Sequence, residues 1–187
     1  IRLQRAQELL YQNKLDALLI TIPSNLRYFT GIDTNFWESP TRPWFLVVPL
    51  SGSPIAIIPE LGEKLFKKTF VKDIHTWPSP NFNGDDISPL KSLLESLPSR
   101  FGAIGAELGK EMSIRMPVLD FGLLQDNFKF DIIDGTSLIW NLRAIKTINE
   151  IKKIEKVAQI VSEVFESLPL IISADDSERD VAIKLKR

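Results

Sequence analysis

The 187-residue chain contains no cysteine, and this one absence removes disulfides, thiolate metal sites and a cysteine nucleophile together. It has a single histidine, too few for an imidazole-rich metal cage. Neither charge is in excess. Lys and Arg number 23 against 24 Asp and Glu, a net charge of −1, so nothing favours nucleic acid or an anionic membrane as a partner. No apolar run approaches the ~20 residues needed to span a bilayer. There is no internal repeat, no low-complexity segment, and no Gly-x-Ser-x-Gly elbow around any serine. A chain of this length typically buries roughly 70% of its unfolded surface, so it can fold without a staple. The lack of thiols fits an intracellular, cytoplasmic home.

What is present reads as alternating helices and strands. Ile1 to Lys14 carries Leu3, Ala6 and Leu10 on one face, the pattern of an amphipathic helix rather than a signal peptide. The first residue is Ile1 and not Met, as in a trimmed or processed chain. Asp16 to Ile22 is short, apolar and bounded by Pro23, which predicts a buried strand. The stretch SNLRYFTG (24–31) follows. Ser24 or Asn25 can cap a helical turn there, Tyr28 and Phe29 can pack back on the sheet, and Gly31 allows a left-handed exit. Two apolar runs, 44–50 and 53–60, flank Ser51-Gly52 as a hairpin. A short helix in GEKLFKKTF, a strand in VKDIHTW, a loop over 78–89, a helix over 87–97 and a strand over 103–108 come next. Ser113 to Gln125 predicts a helix with Pro117 early in it, and FKFDIID a final strand. The fold class is therefore α/β, a mixed β-sheet flanked by helices.

After Asp134 the composition changes. Thr147 and Glu150 match a capping box, and Ile151, Ile154, Val157, Ala158, Val161, Phe165 and Leu168 recur every three or four residues until Pro169 closes the run. A second helix starts near Asp176-Ser177 and is still running at Arg187.

Few residues offer chemistry. His75 alternates with Ile74 and Trp77, as a strand residue does. Asp85-Asp86 and Asp175-Asp176 are candidate metal ligands, but neighbouring loop carboxylates are usually solvated or cap helices. GAELGKE (105–111) is one residue short of a phosphate loop, with Glu111 where Ser or Thr should bind magnesium, and is rejected. The loop 33–45, DTNFWESPTRPWF, gathers Phe36, Trp37, Glu38 and Arg42, a set able to stack on and ion-pair with a small polar ligand. Packing is the competing account, with Trp44 and Phe45 starting a strand and Trp37 covering the core edge.

These stretches also carry a family resemblance. SNLRYFTG resembles the Asn-x-x-Tyr-x-Thr-Gly stretch near the start of creatinase, prolidase and Xaa-Pro aminopeptidase, the pita-bread metallopeptidases. RPWFLVVPLSGSPIAIIPE resembles their hairpin and AIGAE their later strand. LRAIKTINEIKKIEKVAQI (142–160) is similar to the family's Leu-Arg-x-Ile-Lys-Ser-x-x-Glu-Ile segment joining the two domains.

The resemblance implies a creatinase/prolidase-like N-terminal domain over 1–140, with 141–187 as linker and first helices of a truncated pita-bread catalytic domain. It implies a non-catalytic piece of a two-metal hydrolase, an Xaa-Pro aminopeptidase or prolidase, serving oligomerisation and covering of the substrate site. The two divalent ions, manganese, cobalt or zinc, are held in that family by two Asp, one His and two Glu of the C-terminal domain. No catalytic residue and no metal ligand falls within this chain. The implied partners are its own catalytic domain, a second copy in a homodimer, and a small peptide or small molecule. Trp37, Glu38 and Arg42 would approach substrate, in the partner subunit's site. A creatinase-like hydrolase or lyase of a small non-peptide substrate, or a catalytically dead relative acting as a protein-binding module, are the alternatives.

Overall fold

A computed structural model describes residues 1–38, 42–79 and 87–186, with the Trp37 and Glu38 side chains outside the description. The chain divides into two compact units, Ile1–Ala144 and Ile145–Arg187.

The first unit is built on a six-stranded sheet of β1 (Ala17–Ile20), β2 (Phe45–Pro49), β3 (Ile55–Pro59), β4 (Asp73–Trp77), β5 (Ala103–Ala106) and β6 (Asp131–Asp134). Its order is β4-β3-β2-β1-β5-β6. The hairpin makes β2/β3 antiparallel and β1/β2 is antiparallel as well, whereas β3/β4, β1/β5 and β5/β6 are parallel. Successive strand residues point to opposite faces, so β1 divides its side chains between two cores. Leu18 and Ile20 join Leu46, Val48 and Ile58 under the helices α1 (Arg2–Gln12), α2 (Pro23–Thr30), α3 (Glu63–Phe66) and α6 (Thr136–Ala144). Ala17 and Leu19 join Val47, Ile57 and Ile104 on the other face, under α4 (Ser88–Ser96) and α5 (Val118–Gln125). Cover on both faces explains why β1 is apolar throughout instead of alternating.

At the lower end of β1 the chain fastens itself. The Asp16 carboxylate, 2% exposed, accepts the backbone N–H groups of Arg100 (2.8 Å), Phe101 (3.0 Å) and Gly102 (2.7 Å) as the chain turns into β5. Arg100 then lies over the Tyr11 ring at 4.9 Å.

Several local expectations are corrected. Neither Ser24 nor Asn25 caps α2: Ile22 holds the N-cap without a side-chain cap, and Pro23 stands in the first turn. Proline suits that position because its missing N–H is one the helix start leaves unpaired anyway. Gly31 does leave in the left-handed region, φ 75°, and Phe29 is buried. The helix expected from Ser113 begins only at Val118, with Pro117 as N-cap, since a residue before proline is driven away from helical dihedrals. Helix α6 was not foreseen, although Leu138, Ile139 and Leu142 recur at helical spacing behind Gly135-Thr136-Ser137.

In the second unit, α7 (Ile148–Ile171) begins in the capping box of Thr147 and Glu150, as the sequence implied. Pro169 does not close it. Near a C-terminus proline forfeits one hydrogen bond, and the helix continues to Ile171. Helix α8 (Glu178–Lys184) starts under a Ser177–Asp180 capping box. It ends at Lys184 and does not run on to Arg187, which lies outside the described residues.

Candidate functional site

Among the described residues a dense polar cluster lies at the carboxyl ends of the parallel neighbours β1 and β5, where the order of strands in an open sheet reverses and ligand crevices usually form. Here the position is filled from within. Glu107 follows β5 and is fully buried. Its Oε2 accepts Thr21 N (2.7 Å), Thr21 Oγ1 (2.7 Å) and Ile22 N (2.8 Å), and its Oε1 accepts Asn25 Nδ2 (2.6 Å). Asn25 in turn accepts Arg143 Nη1 from the last turn of α6 at 2.7 Å. The start of a helix attracts negative charge through its unpaired N–H groups, and Glu107 takes the seat that a phosphate or substrate anion would occupy elsewhere.

Burial pushes the Glu107 carboxyl above its ordinary value, opposed by the hydrogen bonds from Asn25, Thr21 and Ile22. With both oxygens engaged and no exposed edge, the group can hold structure together but cannot exchange protons with a substrate.

The glycine of the rejected phosphate loop has a packing reason. A Cβ on Gly109 would lie 2.6 Å from both Asp134 Oδ2 and Thr136 Oγ1. The loop must press there, because Gly109 N donates to Thr136 Oγ1 at 2.9 Å while Thr136 N donates to Asp134 Oδ1. The Thr136 hydrogen bonds hold the Asp134 carboxyl below its usual range. Beyond it, Ile22 and the segment 111–116 line an open groove of about 650 Å³.

Of Trp37, Glu38 and Arg42, singled out in the loop, the side chains of Trp37 and Glu38 lie outside the description, and only Arg42 is described in full. Asn35–Glu38 forms a short 3-10 turn containing Trp37 and Glu38 in its backbone. Arg42 is half-buried beside buried Pro43 and Trp44. Trp44 belongs to the core: it packs on Phe66 and fills the space a Cβ on Gly62 would need. Phe36 is exposed, and an Arg27–Asp33 ion pair stands at the foot of the loop.

His75 sits on β4 with Nε2 3.0 Å from Asp73 Oδ1. Asp176 accepts Ser173 N and pairs with Lys184 at 2.6 Å, which holds its carboxyl low. The Asp85-Asp86 pair lies outside the described residues. Among the described residues no three ligating side chains converge on one point. No described helix is long and apolar enough to cross a membrane. The Thr21–Asn25–Glu107–Arg143 cluster was not anticipated. Its signal was a glutamate ending the buried strand AIGAE, a position that demands partners.

Comparison with known proteins places this geometry. The family model for the creatinase/prolidase N-terminal domain matches residues 2–145. No curated protein matches the chain. Among solved structures, a dipeptidase from Pyrococcus horikoshii OT3 is 25% identical with a TM-score of 0.76, covering 99% of this chain and 48% of its own. A recombinant prolidase from Thermococcus sibiricus is 24% identical with a TM-score of 0.77, over 98% of this chain and 47% of its own. A proline dipeptidase structure from Streptococcus agalactiae 2603V is 22% identical with a TM-score of 0.58, over 76% of this chain and 98% of its own. At such identities the likeness to the second and third is one of fold. The chain spans about half the length of the first two.

Proposed function

Because the chain belongs to the creatinase/prolidase N-terminal domain family, we propose that residues 1–140 are the non-catalytic N-terminal domain of a two-metal hydrolase, an Xaa-Pro aminopeptidase or prolidase. Residues 141–187 are then the linker and first helices of its catalytic domain. The observation that carries this reading is the family match over 2–145, supported by nearly complete overlap with structures about twice as long.

In this role the domain covers the substrate site and contributes to a cytoplasmic homodimer. Trp37 stacks on an apolar group of the substrate, and Glu38 and Arg42 meet its charged ends, in the partner subunit's site. The described residues do not fit a metal: the one histidine pairs with Asp73 and no ligating trio converges. The two ions, manganese, cobalt or zinc, belong with residues outside this chain, as two-metal hydrolysis needs a converging ligand set.

The test is made on the protein extended to the length of its prolidase neighbours. Arg42→Ala should raise KM roughly ten- to a hundredfold for an Xaa-Pro substrate, the loss of one charge-assisted contact, while melting temperature and metal content stay level. An unchanged KM removes Arg42 from the site. A lowered melting temperature with normal kinetics makes it a packing residue. Failure to cleave any Xaa-Pro peptide with the three metals supplied removes the hydrolase reading itself.

A further inference from the structure

Three segments far apart in the chain meet in a line of hydrogen bonds with only one workable polarity. At one end the Arg143 guanidinium has donors alone, so Asn25 must turn its amide oxygen towards it. That leaves Asn25 Nδ2 facing Glu107, whose Oε1 must accept. At the other end the backbone N–H groups of Thr21 and Ile22 commit Oε2 to accepting as well. Asn25 and Glu107 are 1% and 0% exposed, so water cannot stand in for a mismatched partner, while Arg143 reaches them from an exposed position.

The turn that carries Arg143 is gripped at several points. Tyr28 Oη donates to Leu142 O at 3.0 Å, Arg5 Nη2 donates to Asn141 O at 3.1 Å, and Arg143 Nη1 also reaches Ser24 Oγ at 3.3 Å. A cation at the C-terminus of a helix is favoured by the helix dipole, which places Arg5 and Arg143 on the right end of α6.

We propose that Glu107 and Asn25 are positioning residues, a directional relay that fixes the Arg143 guanidinium and the last turn of α6, residues 141–144. The turn SNLRYFTG supplies Ser24, Asn25 and Tyr28 to this grip, so its work is to hold the place where the chain leaves the first unit. This goes beyond the hydrolase reading, and its test needs no enzymatic activity.

The test uses Asn25→Asp, Glu107→Gln and the double variant, read by amide exchange at residues 142–146 and by urea unfolding. Asn25→Asp sets two acceptors against each other, and Glu107→Gln sets two donors. Each should speed exchange at 142–146 about tenfold or more, the size of one lost hydrogen bond to a charged group. The double variant reverses the central bond. The amide nitrogen introduced at position 107 would donate to the carboxylate introduced at position 25, which still accepts from Arg143. The amide oxygen at position 107 still takes the N–H groups of Thr21 and Ile22. Exchange should return to within about threefold of the parent, an interaction that independent sites cannot show. A double variant as perturbed as the worse single overturns the proposal. So do single variants that lower the urea midpoint but leave 142–146 unchanged, which would make the cluster plain core structure. If a single variant does not fold, the double decides: native-like exchange supports the relay, and an unfolded double refutes it.

Discussion

Replacing Asp16 with alanine tests how much of the first unit's stability rests on one carboxylate. The side chain accepts three consecutive backbone N–H groups, from Arg100, Phe101 and Gly102, at the point where the chain enters β5. Hydrogen bonds to a charged group are worth ~1.5–3 kcal/mol each, but Arg100 is exposed and water recovers part of the loss, so a total of about 3 kcal/mol follows. With a urea slope of about 2 kcal/mol per molar, the unfolding midpoint should fall by ~1.5 M. The melting temperature should fall by ~6–12 °C for a chain of this size. Asp16→Asn keeps the shape but gives up one accepting oxygen, and should cost about half as much. Tryptophan fluorescence is the natural probe, because all four tryptophans (Trp37, Trp44, Trp77 and Trp140) lie in Ile1–Ala144. A midpoint shift under ~0.3 M for Asp16→Ala, with the slope unchanged, would refute the reasoning, because the stranded N–H groups would then have found equal partners.

Glu107 gives a prediction in pH. Burial raises its carboxyl above the reference value of 4.5, so the folded chain holds that proton more tightly than the unfolded chain does. Its contribution to stability is therefore full below the unfolded value and is lost as pH rises through the folded one. The gap in urea midpoint between parent and Glu107→Gln should narrow with rising pH across that window; a gap that widens would mean the four hydrogen bonds outweigh burial. Helix α7 has no buried side chain, with Ile151, Ile154, Val161 and Phe165 all exposed. Its amides should exchange at least about a hundredfold faster than those of β1, and equal protection would contradict the link between packing and local stability.

Legibility in the sequence followed the range of the forces involved. The runs 16–22, 44–50 and 53–60 were readable as strands because an apolar segment bounded by proline or glycine has few other uses, and β1, β2 and β3 lie inside them. The Thr147–Glu150 capping box was readable because its partners are three residues apart. Asn25 was misread for the opposite reason. Local rules offered it the helix cap, while its actual partners stand 82 and 118 residues away, and a long-range buried carboxylate outweighs a local cap. Helix α6 was missed because its short apolar face sits directly after a strand of similar composition. The loop 33–45 was attractive for its aromatics, yet Trp44 is consumed by packing against Phe66, a distinction residue type alone does not make.

The outermost strand β6 reads Asp-Ile-Ile-Asp, the same in either direction. It lies at the rim of the sheet, where unpaired backbone groups invite another copy to extend the ladder into an aggregate. Two such strands meeting antiparallel and in register would set Asp131 of each opposite Asp134 of the other, and like charges directly across a ladder repel. Both aspartates are exposed, so no burial masks that repulsion. The palindrome thus guards the rim against its own kind, and the guard is electrostatic: it weakens in strong salt, where closure of two chains into a dimer by β6-to-β6 pairing becomes easier.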